Sequence, residues 1–478
     1  MSSTTLVSHS SGTPPDHGSA TGLPRHGSAV ALAVALAGST LLHGLCAAHI
    51  ASVLPAIQAT FPGTQTTWVG AAFFLAAAVA APLGGRIADL LGARRVAVGG
   101  LLLIAVASVA AGLAPNLPAL VAARCVLGIG CAVQFPAALA ILRQARVLRA
   151  PMVLGAIALS SEIAFTTAPS ISSVLSQFGG WRTVLAAPAV LAVLALAFLL
   201  WRVPAQTAPW PGARRLWTML DLPGIAVSST AVIVLLVWLM SLPVTVRWEL
   251  LAVLPVLVGL TWVWERGFAP APFLPVGLFA HPNLVLTVIR HGLYFTAFYV
   301  LFYALPSWLS GRGLSALQVA LVLAALPLVA ILTRVITPSV ERVGARWALL
   351  VGSAGLAVAA GAATLVGGDG PLVAAVVIVA LLGVPTGLVN NANQFVLYTS
   401  APAATTGTIS GIYRSVQFLA GGLAAALTQI SGGPRGVQLL AVVAGVGALL
   451  LIVASTTGTG PVRGPRVLTA VAEPGARP

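Results

Sequence analysis

Glu162 is the one carboxylate that falls deep inside an apolar run of this 478-residue sequence. An ionisable group at membrane depth is costly, so it reads as a functional candidate with a partner to be named. Arg124 lies in the preceding run, about 10 Å from its far end at 1.5 Å per residue, a depth at which the two can meet. Seven residues nearly complete two helical turns, so Gly155, Glu162 and Pro169 share one stripe. Glu162 is therefore the candidate proton carrier and Arg124 the charge that tunes it. Burial favours a neutral carboxyl and a close arginine favours a charged one, so a moving Arg124 switches Glu162 between binding and releasing a proton. The plainer alternative is a static ion pair joining two helices. His43 and His49, six residues apart and so on different helix faces, are candidates for a proton relay. For them the plainer role is a neutral ring bonded to a neighbouring helix. Arg290, His291 and Arg334 lie near the ends of runs, where snorkelling to the interface accounts for them. Arg414 is about nine residues into its run, and no acidic partner for it can be named from sequence.

A binding cavity is suggested by neutral amides and rings. Gln134 and Phe135 stand together in one run, and Asn390, Asn391, Asn393, Gln394 and Tyr398 in another. A third run carries Tyr294, Phe295, Phe298, Tyr299, Phe302 and Tyr303. Such a wall suits an apolar or weakly polar compound, including an aromatic-stacked cation, better than a phosphate. Helix packing alone would also use these residues. The sequence has no P-loop, metal-ligand cluster or catalytic constellation. The expectation is a protein that is not an enzyme and needs no cofactor, with a proton gradient as its energy source.

The elements that position these residues follow from composition. Hydrophobic residues make up 58% of the chain and charged residues 7%, and mean hydropathy is +1.01. A water-soluble globule could not carry that surface, so the solvent for most of the chain is lipid. The net charge of +15 comes from arginines scattered between apolar runs, without the single basic face that a nucleic-acid partner would require. Cys46, Cys125 and Cys131 sit inside apolar runs with no disulfide spacing. A helix crosses the hydrocarbon layer in about 20 residues. The apolar runs place spans near 29–56, 67–86, 95–114, 117–142, 151–176, 181–203, 221–244, 248–266, 283–309, 316–338, 346–367, 371–399, 405–430 and 435–455. Loop arginines such as Arg25, Arg94, Arg95, Arg215 and Arg477 gather on one side. Only Arg182, Arg247, Arg312 and Arg435 fall on the other. By the positive-inside rule both termini are expected in the cytoplasm.

A repeat supports this count. Asp89-Leu-Leu-Gly92-Ala-Arg94 follows the second span, and Glu341-Arg-Val-Gly344-Ala-Arg346 follows the tenth with the same spacing. Two six-helix halves with two helices inserted between them make those positions equivalent. The expected organisation is a tail 1–28, a six-helix bundle 29–203, a linker 204–220, inserted helices 221–266, a connector 267–282, a second bundle 283–455 and a tail 456–478.

Gly85-Arg-Ile-Ala-Asp89-Leu-Leu-Gly92-Ala-Arg94-Arg95 resembles the major facilitator signature between the second and third helices. Arg124-Cys-Val-Leu-Gly128-Ile-Gly130 is similar to that family's intramembrane arginine motif. Gly155, Ala164, Ala168, Pro169, Ser172 and Ser173 keep the spacing of its antiporter motif, with small residues replacing most glycines. Trp68 to Phe73, Glu265 to Phe279 and Gly407 to Gly422 also resemble the fourteen-span drug:proton antiporter branch. The resemblance implies an all-α major facilitator fold of about fourteen transmembrane helices. It implies that Asp89, with Arg94 and Arg95, latches the cytoplasmic side to the second half, Gly85 and Gly92 allowing backbone turns. That branch usually carries an aspartate nine residues before a Leu-Pro in the first span, where this chain has Cys46. The function so implied is proton-driven efflux of a small hydrophobic or amphipathic, antibiotic-like compound from a bacterial cytoplasmic membrane, by a monomer. Uptake or facilitated diffusion of a metabolite is the alternative within transport, and a transport-inactive sensor or scaffold the alternative outside it.

Overall fold

The computed structural model describes residues 27–62, 66–145, 150–205, 219–242, 246–269, 272–274, 282–333, 345–366, 371–400, 406–430 and 434–456. Among these residues there is no strand, and twelve helices are long and apolar enough to cross a membrane. Two further helices complete the fourteen expected positions. The tenth, Leu317–Thr333, is shorter. The thirteenth, Thr406–Ile430, has length enough but carries buried Thr406, Thr408, Ser410, Arg414, Ser415 and Gln417.

The first half comprises the first span (Gly27–Ala48 continuing as Ile50–Thr60), the second (Thr67–Leu91) and the third (Ala93–Gly112). The fourth (Leu117–Ala132 and Gln134–Ala145), fifth (Ala150–Leu175) and sixth (Gly180–Ala186 and Pro188–Arg202) complete it. The seventh (Leu222–Ser241) and eighth (Trp248–Gly267) pair with each other. The second half is the ninth (Pro282–Gly311), tenth, eleventh (Ala345–Val366), twelfth (Leu372–Ser400), thirteenth and fourteenth (Pro434–Thr456). Broken spans have a local cause. Pro136 has no N–H for the carbonyl of Ala132, and Pro327 none for Leu323, where the first segments of the fourth and tenth spans end.

Within the first half, the first span packs most heavily on the fifth, and the fourth on the second and third. In the second half the eleventh packs on the twelfth and fourteenth, and the ninth on the thirteenth and fourteenth. Thr40 fastens the first pair by donating to the Ile157 carbonyl at 3.3 Å and pairing with Ser160 Oγ at 3.1 Å. That crossing fixes the face of the fifth span that carries Glu162. The halves meet chiefly where the second span crosses the thirteenth, with the fourth span's Gln134–Ala145 segment beside it. Outward faces are apolar, with Val106, Val193, Leu194, Val256 and Val453 all exposed, as lipid contact requires.

Candidate functional site

The second span turns into the third through one residue. Gly92 adopts φ 100°, a left-handed backbone that suits glycine, and lets the two helices follow without a loop. Gly85 plays another part from the turn expected of it. It lies inside the second helix, and a Cβ there would sit 2.0 Å from the carbonyl oxygen of Gly407. Two backbones therefore touch across the halves, and glycine is what permits it.

That approach brings Asp89 to the start of the thirteenth span. Its Oδ1 accepts the Gly407 N–H at 2.9 Å, and its Oδ2 accepts the Thr408 N–H and hydroxyl, each at 2.8 Å. A carboxylate thus caps a helix belonging to the other half, where unsatisfied N–H groups and the helix dipole favour negative charge. Arg143 grips the same segment. It donates to the Tyr398 carbonyl and to Thr406 Oγ1, with its guanidinium 4.5 Å from the Tyr398 ring. The Asp89 end of the bundle is closed. Arg94 donates to the Leu200 carbonyl at 3.4 Å and Arg95 to the Leu91 carbonyl at 3.1 Å, both within the first half. Of the expected latch residues, Asp89 is the one whose described bonds reach the second half. Arg346 is exposed at the start of the eleventh span, while Glu341 and Gly344 lie outside the described residues.

At the centre, Glu162 is buried at 4% exposure, and its Oε1 accepts the Asn390 amide at 3.2 Å. Gln394 Nε2 donates in turn to Asn390 Oδ1 at 3.0 Å. Arg414 lies close enough for its charge to act on Glu162. Depth along the helices suggests Arg124 for that place. Arg124 donates instead to the carbonyls of Val69 and Cys46, both at 3.0 Å, with its guanidinium 4.7 Å from the Phe73 ring. It ties the fourth span to the second and first.

Arg414 organises the centre. Its guanidinium lies 4.2 Å from the Phe135 ring and donates to Gln417, whose Nε2 donates to Tyr299 Oη at 2.8 Å. Its charge also acts on His43, His291, Tyr299 and Tyr413. His43 rests edge-on against Phe418 at 5.1 Å, and His291 stacks on Tyr413 at 3.4 Å. Arg414 Nε, Tyr413 Oη and both ring nitrogens of His291 are buried without a hydrogen-bond partner among the described residues. Buried polar atoms are normally satisfied, so these are the atoms that a polar ligand or water would meet. Phe165 faces Phe302 at 4.9 Å and Tyr299 at 5.2 Å, closing an aromatic wall between the fifth and ninth spans.

Other expected site residues are used differently. Gln134 turns away from the seam and donates to the carbonyls of Ala97 and Gly130. Asn393 accepts from Arg290 at 3.2 Å and Tyr294 donates to Thr386 at 3.2 Å, both bonds lying inside the second half. Arg290 and His291 are fully buried, which rules out the snorkelling expected of them. Phe298 is buried and stacks on Phe302 at 5.7 Å. Asn391 is half-buried in the twelfth span. His49 bonds its own helix through Nδ1 to the Leu45 carbonyl at 2.8 Å. In the fifth span Ala164, Ala168 and Ser172 are buried, Gly155 and Pro169 half-buried, and Ser173 bonds the Pro169 carbonyl at 2.9 Å.

Two six-helix halves meeting at a buried polar seam have the architecture of a membrane transporter. The Major Facilitator Superfamily profile matches residues 36–425, and the chain belongs to that family. It is similar to the uncharacterized transporter YwoD of Bacillus subtilis, 26% identical over 80% of this chain and 86% of that protein. The cephamycin export protein CmcT of Amycolatopsis lactamdurans is 33% identical over 52% of this chain and 54% of its own length. The lincomycin resistance protein of Streptomyces lincolnensis is 29% identical over 77% of each. Among solved structures, the proton:xylose symporter XylE superposes with a TM-score of 0.65 at 15% identity, over 91% of this chain and 97% of its own. That likeness concerns the fold.

Proposed function

We propose that this protein exports a small hydrophobic or amphipathic, antibiotic-like compound across a bacterial cytoplasmic membrane in exchange for protons. The observation that carries this reading is the buried Glu162 of the first half, hydrogen-bonded to Asn390 of the second. Alternating access parts the halves on one side and then the other, so a carboxylate at the seam changes surroundings once in each half-cycle. A proton and a substrate that both act on this carboxylate bias the same two-state element. When Glu162 is charged, Arg414 balances it. When Glu162 is protonated, Arg414 keeps Gln417 and is freed to meet a polar ligand or water beside the unpartnered atoms around it.

The names of two relatives, one an export protein and one a resistance protein, support an antibiotic-like cargo. The rings of Phe135, Phe165, Tyr299 and Phe302 support an apolar or aromatic one. The Asp89 end is the cytoplasmic end in this reading, because the positive-inside rule assigns the side richer in loop arginines to the cytoplasm. The test is Glu162→Gln in inverted vesicles, with gradient-driven accumulation and equilibrium exchange measured in one preparation. The variant is expected to exchange substrate but to lose uphill transport. Full uphill transport by Glu162→Gln would move coupling elsewhere and end this reading. Absence of counterflow by the parent protein would favour a sensor or scaffold.

A further inference from the structure

The gate residue Asp89 has a neighbour whose bonds the gate does not explain. Arg86, one turn earlier on the second span, donates through Nη2 to the Met219 carbonyl at 3.2 Å, just ahead of the seventh span. Its charge acts on Asp89, Glu265 and Asp221 together. Asp221 and Glu265, from the two inserted helices, are each 4% exposed.

These two carboxylates fold the connector onto the gate. Asp221 takes the Gly224 N–H at 3.3 Å, the Trp264 indole N–H at 2.8 Å and the Phe273 N–H at 3.2 Å. Glu265 Oε1 takes the Leu274 N–H at 3.1 Å. A Cβ on Gly224 would lie 2.2 Å from Asp221 Oδ2 and 2.7 Å from Glu265 Oε1, so the two acids meet over this glycine. Glu265 Oε2 is buried with no hydrogen-bond partner among the described residues, and so is Arg86 Nε.

Among the described residues, Asp89, Asp221 and Glu265 share one arginine, Arg86. Arg266 is exposed, beside the Trp262 ring at 6.0 Å. Described connector residues contribute only backbone N–H groups, from Phe273 and Leu274. Like charges buried together are relieved when one of them takes a proton. Among the described residues, Asp221 has a donor on each oxygen and Asp89 has three donors between its two, whereas Oε2 of Glu265 has none.

We propose that Glu265 is a second proton-binding site, through which the two inserted helices control the Asp89 gate. While Glu265 is ionised, it and Asp221 share the charge of Arg86 with Asp89, whose oxygens cap the thirteenth span. A proton on Glu265 Oε2 releases Arg86 toward Asp89. The cap weakens and the Asp89 end opens. Arg86 is the positioning residue in this scheme, and the scheme does not rest on Glu162 as the coupling carboxylate.

The experiment reads the gate without transport or gradient. Spin labels on cysteines at Gln144 and Thr399, exposed residues on the two halves at the Asp89 end, report the open fraction in nanodiscs across a pH series. In the parent the open-to-closed ratio is expected to rise as pH falls. Glu265→Gln should raise that ratio at neutral pH by roughly fivefold, the scale of one modest coupling, and remove the pH response. Glu265→Asp should restore the response, which a merely structural role would not do. Should Glu265→Gln fail to fold, Arg86→Gln keeps the acid and removes the link, and it too should lose the response. A pH response of parental size in Glu265→Gln or in Arg86→Gln would overturn the proposal and assign gate titration to Asp89. A parent whose open fraction is flat with pH would overturn it as well.

Discussion

Replacing Asp89 with asparagine removes one acceptor oxygen and one charge from the start of the thirteenth span while keeping the shape. The aspartate holds three donors, at 2.8 to 2.9 Å. Asparagine can keep the Gly407 N–H on its remaining oxygen, but its NH2 then faces the Thr408 N–H and hydroxyl. Hydrogen bonds to a charged acceptor contribute about 1.5 to 3 kcal/mol each. Asp89 is half-buried, so in the open state water recovers part of this. A net loss of about 2 kcal/mol from the closed state is expected, which is roughly a thirtyfold shift toward opening. The assay is the open fraction from labels at Gln144 and Thr399, run beside substrate binding. Binding should persist, because Asp89 sits at the gate while the ligand-facing atoms surround Arg414. Transport should slow, since closure is disfavoured in every cycle. An unchanged open fraction, with the protein at normal abundance and full transport, would refute the view that this cap holds the gate.

Arg414→Gln removes the charge that acts on Glu162, and gradient-driven transport should be lost while helix packing at the Asp89 end persists; label distances at Gln144 and Thr399 check the second half of that statement. Arg124→Ala leaves the Val69 and Cys46 carbonyls without their buried donor, so thermal stability should fall by the equivalent of about 2 to 4 kcal/mol. Protein that does fold should keep its uphill transport, and a coupling defect at normal stability would return Arg124 to the proton path. Reporter fusions at Arg215 and Arg477 should both read cytoplasmic, and a periplasmic signal from either would break the orientation scheme.

The number and order of helices were legible in the sequence because each depends on a local quantity. Some 20 apolar residues satisfy their own backbone in lipid wherever they stand in the chain. The Gly92 turn was legible for the same reason, since one left-handed residue between two helices is a local requirement. Glu162 could be singled out because a carboxylate inside an apolar run is costly in any fold. Its partners could not. Sequence gives depth along a helix, and by depth Arg124 suited Glu162. Which helices are neighbours, and which face each turns inward, is decided by packing between segments such as the fifth and twelfth spans, 228 residues apart at the Glu162–Asn390 bond. Packing turned Arg124 toward the carbonyls of Val69 and Cys46, set Arg414 against Phe135 within reach of Glu162, and buried Arg290 and His291. It also drew the Gly85 and Gly407 backbones close enough for Asp89 to cap a helix of the other half. Hydropathy is a property of one segment, whereas a charge at the seam is neutralised by whichever segment the tertiary structure lays against it.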